Sequence, residues 1–136
     1  MDVIMHFLNR IDEDLPPVVR GDGSATVDLV YVEDVAKANL LALNSDVTNE
    51  FLNVASGKET TIGDLARLLI QLRGKQGKLE PEFQNMDVGL VTRRWGSPNK
   101  AREMLGFTAT TPVEEGMRRV IEWREATRRR PETAGH

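Results

Sequence analysis

Hydrophobic residues at the start of the chain recur with the spacing of a helix. The following residues fall at positions i, i+3, i+4 and i+7: Ile4, Phe7, Leu8 and Ile11. This spacing places them on one face of an amphipathic helix. The proline pair at 16–17 cannot continue the helix and therefore ends it. Because no cap is evident before it, we expect this helix to be an internal element of a longer protein.

Capping signals and apolar spacing predict three helices in the second half of the chain. Thr61 and Asp64 resemble a capping box before a leucine stripe that ends at Gly74. Ser-Pro at 97–98 and Thr-Pro at 111–112 each place a cap and a first-turn proline before a helix. The inner face of the last helix is predicted to consist of Val113, Met117, Val120 and Ile121, with Trp123 beside them.

A turn, a strand and a helix follow one another in the segment 21–43. The residues at 21–24, Gly-Asp-Gly-Ser, are a strong turn signal, and a plain tight turn is favoured over a phosphate loop. Residues 27–32 are apolar on both faces, which predicts a strand buried on both sides. Glu33 and Asp34 lie where a helix N-terminus favours negative charge. The buried stripe of that helix is predicted to be Val35, Ala38, Leu41 and Ala42.

A short extended piece is predicted at 18–20, and short strands are predicted at 51–55 and, along a sheet edge, at 79–83. Alternating strands and helices indicate an α/β fold: a small mixed sheet of short strands with about five helices. Such a sparse sheet suggests one lobe of a larger structure. Residues 1–126 are expected to form this lobe, and residues 127–136 a disordered tail that has little to bury.

Composition narrows the functional class. A formal net charge of −3 over 136 residues argues against general binding of nucleic acid or of an anionic membrane. The chain has no cysteine, no apolar run long enough to span a membrane and no signal-peptide layout, so we expect a soluble, cytoplasmic protein. His6 and His136 lack ligand-spaced partners, which argues against a metal site. Trp95 and Trp123 are expected to be packing residues.

Several short motifs follow one another in order along residues 3–125. After the opening helix come Pro16-Pro17-Val18-Val19, the glycine turn at 21–24, Asp28-Leu29-Val30-Tyr31-Val32-Glu33-Asp34-Val35-Ala36, Phe51-Leu52-Asn53-Val54-Ala55-Ser56-Gly57, Lys100-Ala101, Leu105-Gly106-Phe107 and Glu114-Glu115-Gly116. In this order and spacing they resemble the C-terminal part of NAD-dependent epimerases and dehydratases of the extended short-chain dehydrogenase/reductase family. The resemblance implies the lobe that binds a nucleotide sugar.

The resemblance also implies that the NAD-binding and catalytic residues lie outside this chain. Such enzymes bind NAD with an N-terminal Rossmann half that carries a glycine-rich turn, and their catalytic tyrosine and lysine lie four residues apart. Here Gly21 and Gly23 are followed by Thr26, and the only tyrosine, Tyr31, has Val35 at that offset. NAD is therefore expected in the full-length enzyme, with none bound by this chain alone, which is predicted to be inactive.

The same resemblance supplies candidate substrate-binding residues. Family members often place an arginine that meets the substrate diphosphate where this chain has Val27, just before Asp28, and a second one near the position of Asp87. Arg93 and Arg94 are candidates to substitute, because guanidinium engages phosphate oxygens in pairs. The alternative is two solvated or surface-paired arginines. For Asp28, a structural hydrogen bond is favoured over contact with a ligand.

Two functions remain open from the sequence. The first is the substrate-binding, C-terminal lobe of a nucleotide-sugar epimerase or dehydratase, an isomerase-type enzyme, cut off from its N-terminal NAD-binding half. The alternative is a non-catalytic binding or interaction module derived from that lobe, which the residues at Val27 and Asp87 favour. Either way, surfaces that face a missing half should expose apolar side chains, including some in residues 27–32. We therefore expect either the missing half or self-association to cover them.

Overall fold

The computed structural model describes residues 2–85 and 92–129. Within these ranges it contains five helices and five short strands. In chain order they are α1 (Val3–Asp12), β1 (Val18–Arg20), β2 (Thr26–Val27), α2 (Val32–Leu43), β3 (Thr60–Thr61), α3 (Ile62–Leu72), β4 (Glu82–Gln84), β5 (Arg93–Arg94), α4 (Asn99–Leu105) and α5 (Val113–Arg128). The predicted α/β class, with about five helices and short strands in a mixed arrangement, is confirmed.

The first helix forms where its apolar spacing predicted it. Phe7, Leu8 and Ile11 are buried on one face of α1. The expectation of an uncapped start was wrong, because Asp2 is the N-cap and its Oδ1 accepts a hydrogen bond from the Ile4 N–H at 3.1 Å. An aspartate at this position satisfies one of the amide groups that the first turn leaves unpaired.

Helix α3 is the most deeply buried helix of the described chain. Thr61 Oγ1 accepts a hydrogen bond from the Asp64 N–H at 3.0 Å, as the capping signal predicted. The side chains of Leu65 and Leu69 are completely buried, and Gly74 follows the helix with a φ of +68°. The helix therefore begins and ends at its sequence signals.

Helices α4 and α5 follow their proline signals with a shift of one residue. Pro98 and Pro112 occupy the N-cap positions, rather than the first helical positions that the sequence predicted. Helix α5 also continues to Arg128, beyond the predicted lobe boundary at residue 126, and Arg128 donates a 2.7 Å hydrogen bond to Asp12. Residues 130–136, the rest of the predicted disordered tail, lie outside the described residues.

Two small sheets replace the single sheet that the strand pattern suggested. One pairs β1 with β4 in parallel. The other has the order β3-β2-β5, in which β2 is antiparallel to β3 and parallel to β5. The strand predicted at 79–83 is displaced to β4, which begins directly after Pro81, because proline cannot donate to a ladder.

The long buried strand predicted at 27–32 is wrong. Only Thr26 and Val27 belong to a ladder, and Val32 already begins α2 with 68% of its surface exposed. The Asp28 N–H still donates to the Arg94 carbonyl at 2.8 Å, after which the chain leaves the sheet. Apolar residues on both faces need covering elements on both sides, and the described chain supplies them only in part.

The strand predicted at 51–55 does not form either. Among described residues, none makes a backbone–backbone hydrogen bond with this segment. Leu52 packs against a small apolar cluster and Ala55 is buried, whereas Phe51 is 95% exposed. The sequence has strand character here, but the described chain offers no neighbouring strand.

Helix α2 exposes much of its apolar surface. Of its predicted buried stripe, Ala38 is buried, whereas Leu41 is 39% exposed and Ala42 is also exposed. On the outer side, Leu40 and Leu43 are 59% and 79% exposed. The prediction of the buried face was therefore wrong in half of its members.

Within the described ranges, no helix combines the length and apolar content that crossing a membrane requires.

The buried apolar residues form two clusters. The larger joins α1, α3, α5 and β1, and its fully buried members are Phe7, Leu8, Ile11, Val19, Leu65, Ala66 and Leu69. The smaller lies between α2 and α4 and consists of Ala38, Ala101 and Phe107. Trp123, predicted to pack beside the inner face of α5, is 62% exposed and stands outside both.

Asp34 connects the two clusters through hydrogen bonds. Its carboxylate, which is fully buried, accepts from the backbone N–H groups of Thr110 (3.2 Å) and Thr111 (2.9 Å) and from the Thr110 hydroxyl (3.2 Å). Asp34 lies in the first turn of α2 as predicted, but its side chain holds the chain that leads into α5. Burial raises the pKa of Asp34, and the hydrogen bonds from Thr111 and Thr110 with the nearby Lys37 lower it below its ordinary value.

We predict that Asp34→Ala lowers the free energy of unfolding by about 3 kcal/mol at neutral pH, because three donors lose their buried acceptor. Since the pKa of Asp34 is lowered in the folded state, its stabilisation is present above the ordinary value of 3.8 and is lost as the pH falls through the folded-state pKa. Urea unfolding measured at neutral and acidic pH checks this. Equal stability of Asp34→Ala and the exposed-site control Glu103→Ala would contradict it.

Candidate functional site

The four residues singled out as substrate-binding candidates lie in, or directly after, the neighbouring strands β2 and β5 of the three-stranded sheet. Strands β2 and β5 run parallel, with Thr26 opposite Arg93 and Val27 opposite Arg94. Asp28 follows directly, and its N–H donates to the Arg94 carbonyl. The structure therefore brings together Val27, Asp28, Arg93 and Arg94, whereas Asp87 lies outside the described residues.

Asp28 organises the loop that approaches this ladder. Its Oδ1 accepts from the Ser56 N–H at 3.1 Å and from the Ser56 hydroxyl at 2.5 Å, and its Oδ2 accepts from the Gly57 N–H at 2.9 Å. These are the structural hydrogen bonds that the sequence favoured for Asp28. Contact between Asp28 and a substrate stays a prediction.

Arg93 forms a bidentate ion pair with Glu59. Its Nε and Nη2 each donate to one carboxylate oxygen of Glu59, both at 2.7 Å. The Thr26 hydroxyl donates to the same carboxylate at 2.7 Å. The hydrogen bonds from Arg93 and Thr26 lower the pKa of Glu59 to about 2, and Glu59 in turn raises the pKa of Arg93.

The Trp95 ring lies against the guanidinium of Arg93. The Arg93 guanidinium carbon is 5.5 Å from the centroid of the indole ring, within the range of a cation–π interaction. The indole Nε1 donates to the Gly57 carbonyl at 3.2 Å, which ties the ring to the loop that Asp28 holds. The expectation that Trp95 is a packing residue was wrong, because 48% of its surface is exposed.

Arg94 projects from the face of β5 opposite to that of Arg93, because successive side chains of a strand point to opposite faces. Its side chain is exposed, and among the described residues none forms an ion pair or side-chain hydrogen bond with it. Residues that lie opposite each other on neighbouring strands project from the same face of a sheet. Arg94 therefore projects from the same face as half-buried Val27.

Sequence reasoning missed Glu59, Thr26 and the stacking position of Trp95. Glu59 lies 34 residues before Arg93 in a polar loop, and nothing in the sequence marks the two as partners. The adjacency of Thr26 and Arg93 depends on a strand of two residues that no periodicity reveals. The only usable signal was the run of Arg93, Arg94 and Trp95 itself, in which two cations adjoin an aromatic ring.

The glycine turn at 21–24 is a structural turn, as predicted. Gly23 has a φ of +82°, and a Cβ there would come within 2.6 Å of the Phe83 ring. Its carbonyl accepts from the Gly63 N–H at 3.0 Å, and the Ala25 carbonyl accepts from the Ile62 N–H at 2.8 Å. The first amide groups of α3 are thus already paired with the turn.

An apolar groove of about 230 Å³ lies apart from these arginines. It is lined by α1, by the segment 29–32 and by α5. Tyr31 forms part of its wall and packs against Gly116, where an added Cβ would be 3.3 Å from the ring. The Arg119 guanidinium lies 5.3 Å from the centre of the same ring.

Known proteins match most of this chain. The family model described as GDP-mannose 4,6 dehydratase matches residues 1–120. A Methanocaldococcus jannaschii protein assigned as a UDP-glucose 4-epimerase is 38% identical over 121 residues, covering 89% of this chain and 38% of that protein. The chain thus spans well under half the length of this relative.

Solved structures show the same fold. The UDP-glucose 4-epimerase of Thermotoga maritima, crystallised with UDP-glucose, superposes with a TM-score of 0.83 at 32% identity, over 93% of this chain and 40% of that one. A Bordetella bronchiseptica enzyme in complex with NAD⁺ and UDP gives a TM-score of 0.77 at 32% identity, over 93% and 36%. On the family match and these likenesses together, the chain belongs to the nucleotide-sugar epimerases and dehydratases of the extended short-chain dehydrogenase/reductase family.

Proposed function

We propose that this chain is the substrate-binding C-terminal lobe of an NAD-dependent nucleotide-sugar epimerase or dehydratase. The observation that carries the proposal is the register of Val27 opposite Arg94. Relatives of this family often hold a diphosphate arginine at the position of Val27, and here Arg94 projects from the same face one strand away. A guanidinium is thereby offered to the same part of a substrate from the neighbouring strand.

Arg93 and Arg94 supply the charge that a diphosphate requires. A planar guanidinium engages two phosphate oxygens at once, so each of these arginines suits a phosphate group. Asp28 contributes indirectly, because it fixes the loop at Ser56 and Gly57 that borders the arginines. In this proposal the lobe orients the nucleotide sugar, and the reacting groups belong to another part of the enzyme.

The residues of the described chain do not suit binding of NAD. The glycine turn at 21–24 adjoins the start of α3, but the amide groups that would meet a pyrophosphate already pair with the carbonyls of Gly23 and Ala25. Tyr31 has no lysine four residues on and packs against Gly116. We therefore propose that NAD is bound by the rest of the enzyme, in the cytoplasm, and that this chain alone is inactive.

The partner that we propose is the dinucleotide-binding half. Helix α2 exposes a continuous stripe formed by Val32, Ala36, Leu40 and Leu43, and the adjoining segment 51–55 has strand character without a strand partner. An apolar helix face next to a segment of strand character fits the edge of a sheet whose remaining strands belong to another part of the enzyme. The relative from Methanocaldococcus jannaschii extends well beyond the matched part, which leaves ample chain for such a half.

The alternative function is a non-catalytic interaction module derived from this lobe. Its support is the ion pair between Arg93 and Glu59, because one of the two candidate arginines is already bound by a carboxylate of the same chain. Valine at position 27 and aspartate at position 87, where relatives often carry arginine, favour the same alternative. The two functions differ in one property, which is the binding of nucleoside diphosphates.

We predict that the chain binds UDP or GDP and that Arg94→Gln weakens this binding by about ten-fold, since a charge-assisted hydrogen bond is lost. Isothermal titration with UDP, GDP and the corresponding monophosphates measures the effect. Arg67→Gln is the matched control, because Arg67 is also exposed and pairs with its helix neighbour Asp64 at 3.3 Å. Failure of both diphosphates to bind would instead support the interaction module.

We predict that the isolated chain self-associates through the exposed face of α2, because this apolar surface lacks its cover. Sedimentation velocity should show mass rising with concentration, and the double variant Leu40→Glu/Leu43→Glu should restore a monomer. Leu15→Glu is the control, since Leu15 is 42% exposed but lies between α1 and β1. A parent chain that stays monomeric at high concentration would count against an uncovered interface.

A further inference from the structure

Glu59 is held between strands rather than standing free on a loop. It directly precedes β3, which pairs with β2, and its carboxylate reaches across β2 to Arg93 on β5. Thr26 lies opposite Arg93 in the ladder and donates to the same carboxylate. The carboxylate therefore meets three donors that come from two neighbouring strands.

The donors around Glu59 match those that a phosphate group would need. A guanidinium presents the same two parallel N–H groups to a carboxylate and to a phosphate. The Thr26 hydroxyl adds a third donor on the same side, and the Trp95 ring lies over the guanidinium of Arg93. A carboxylate that fills this arrangement takes the place of an external anion.

We propose that Glu59 is an internal competitor for Arg93. The Glu59 carboxylate binds Arg93 in the free protein and is displaced from it when the diphosphate of a substrate binds. This proposal rests on the proposed function and adds a residue that sets its affinity. Displacing Glu59 requires little movement of the backbone, because Asp28 fixes Ser56 and Gly57 while Glu59 itself is exposed. The change is a rotation of one side chain away from Arg93.

The competition is weak enough to be overcome by a substrate. Ion pairs between exposed side chains contribute little to stability, and salt screens them. The Arg93 side chain is 65% exposed and that of Glu59 28% exposed, so solvent and salt reach the pair and screen it. A diphosphate carries more charge than one carboxylate, so the exchange favours the substrate.

The test is a double-mutant cycle in the full chain. UDP and inorganic pyrophosphate are titrated calorimetrically into the parent, Glu59→Gln, Arg93→Gln and the double variant. We expect Glu59→Gln to bind UDP about five-fold more tightly than the parent, and the gain to shrink at high salt. Glu114→Gln is the control, because it breaks another exposed pair, with Arg118 at 2.7 Å, and should leave affinity unchanged.

The cycle separates competition for Arg93 from general removal of a negative charge. If Glu59 acts through Arg93, the gain disappears in the double variant, whereas a long-range charge effect would persist there and overturn the proposal. Unchanged or weaker binding by Glu59→Gln, with binding by the parent intact, overturns the competition and leaves the proposed function standing. No binding of UDP or pyrophosphate by any variant overturns both.

Discussion

The buried carboxylate of Asp34 is the interaction on which the arrangement of the chain depends. The larger apolar cluster is assembled from α1, α3, α5 and β1, and the smaller one from α2 and α4. Asp34 leaves the first turn of α2 and binds the backbone at Thr110 and Thr111, directly before α5 begins. Because an uncompensated charge is costly to bury, these donors fix the path between α4 and α5 and join the two clusters.

The candidate site depends on a second carboxylate with a similar task. Asp28 holds the loop at Ser56 and Gly57 against the end of β2, and that loop leads on to Glu59 and β3. The short ladder between β2 and β5 then sets Arg93 opposite Thr26 and Arg94 opposite Val27. Two exposed cations are thus positioned by backbone register and by one half-buried acid, with little contribution from the apolar clusters.

The sequence predicted the elements whose signals are local. The capping box at Thr61 and the glycine after α3 are satisfied within a few residues, so the helix could be read directly. The segments 27–32 and 51–55 failed because their strand character needs neighbours that the described chain does not supply. At the site, Arg93 and Arg94 were found, but Glu59 was not, since its pairing depends on tertiary register across 34 residues.

We propose that α2 and the segment 51–55 form a surface that another part of an enzyme covers. Native-state hydrogen exchange of the chain, at a concentration where light scattering finds a monomer, tests it most directly. The amide groups of 51–55 should exchange nearly as fast as those of an unstructured peptide, while those of α3 around Leu65 and Leu69 are strongly protected. Protection of 51–55 equal to that of α3 in the monomer would show that the segment already has its partner, and would contradict the account.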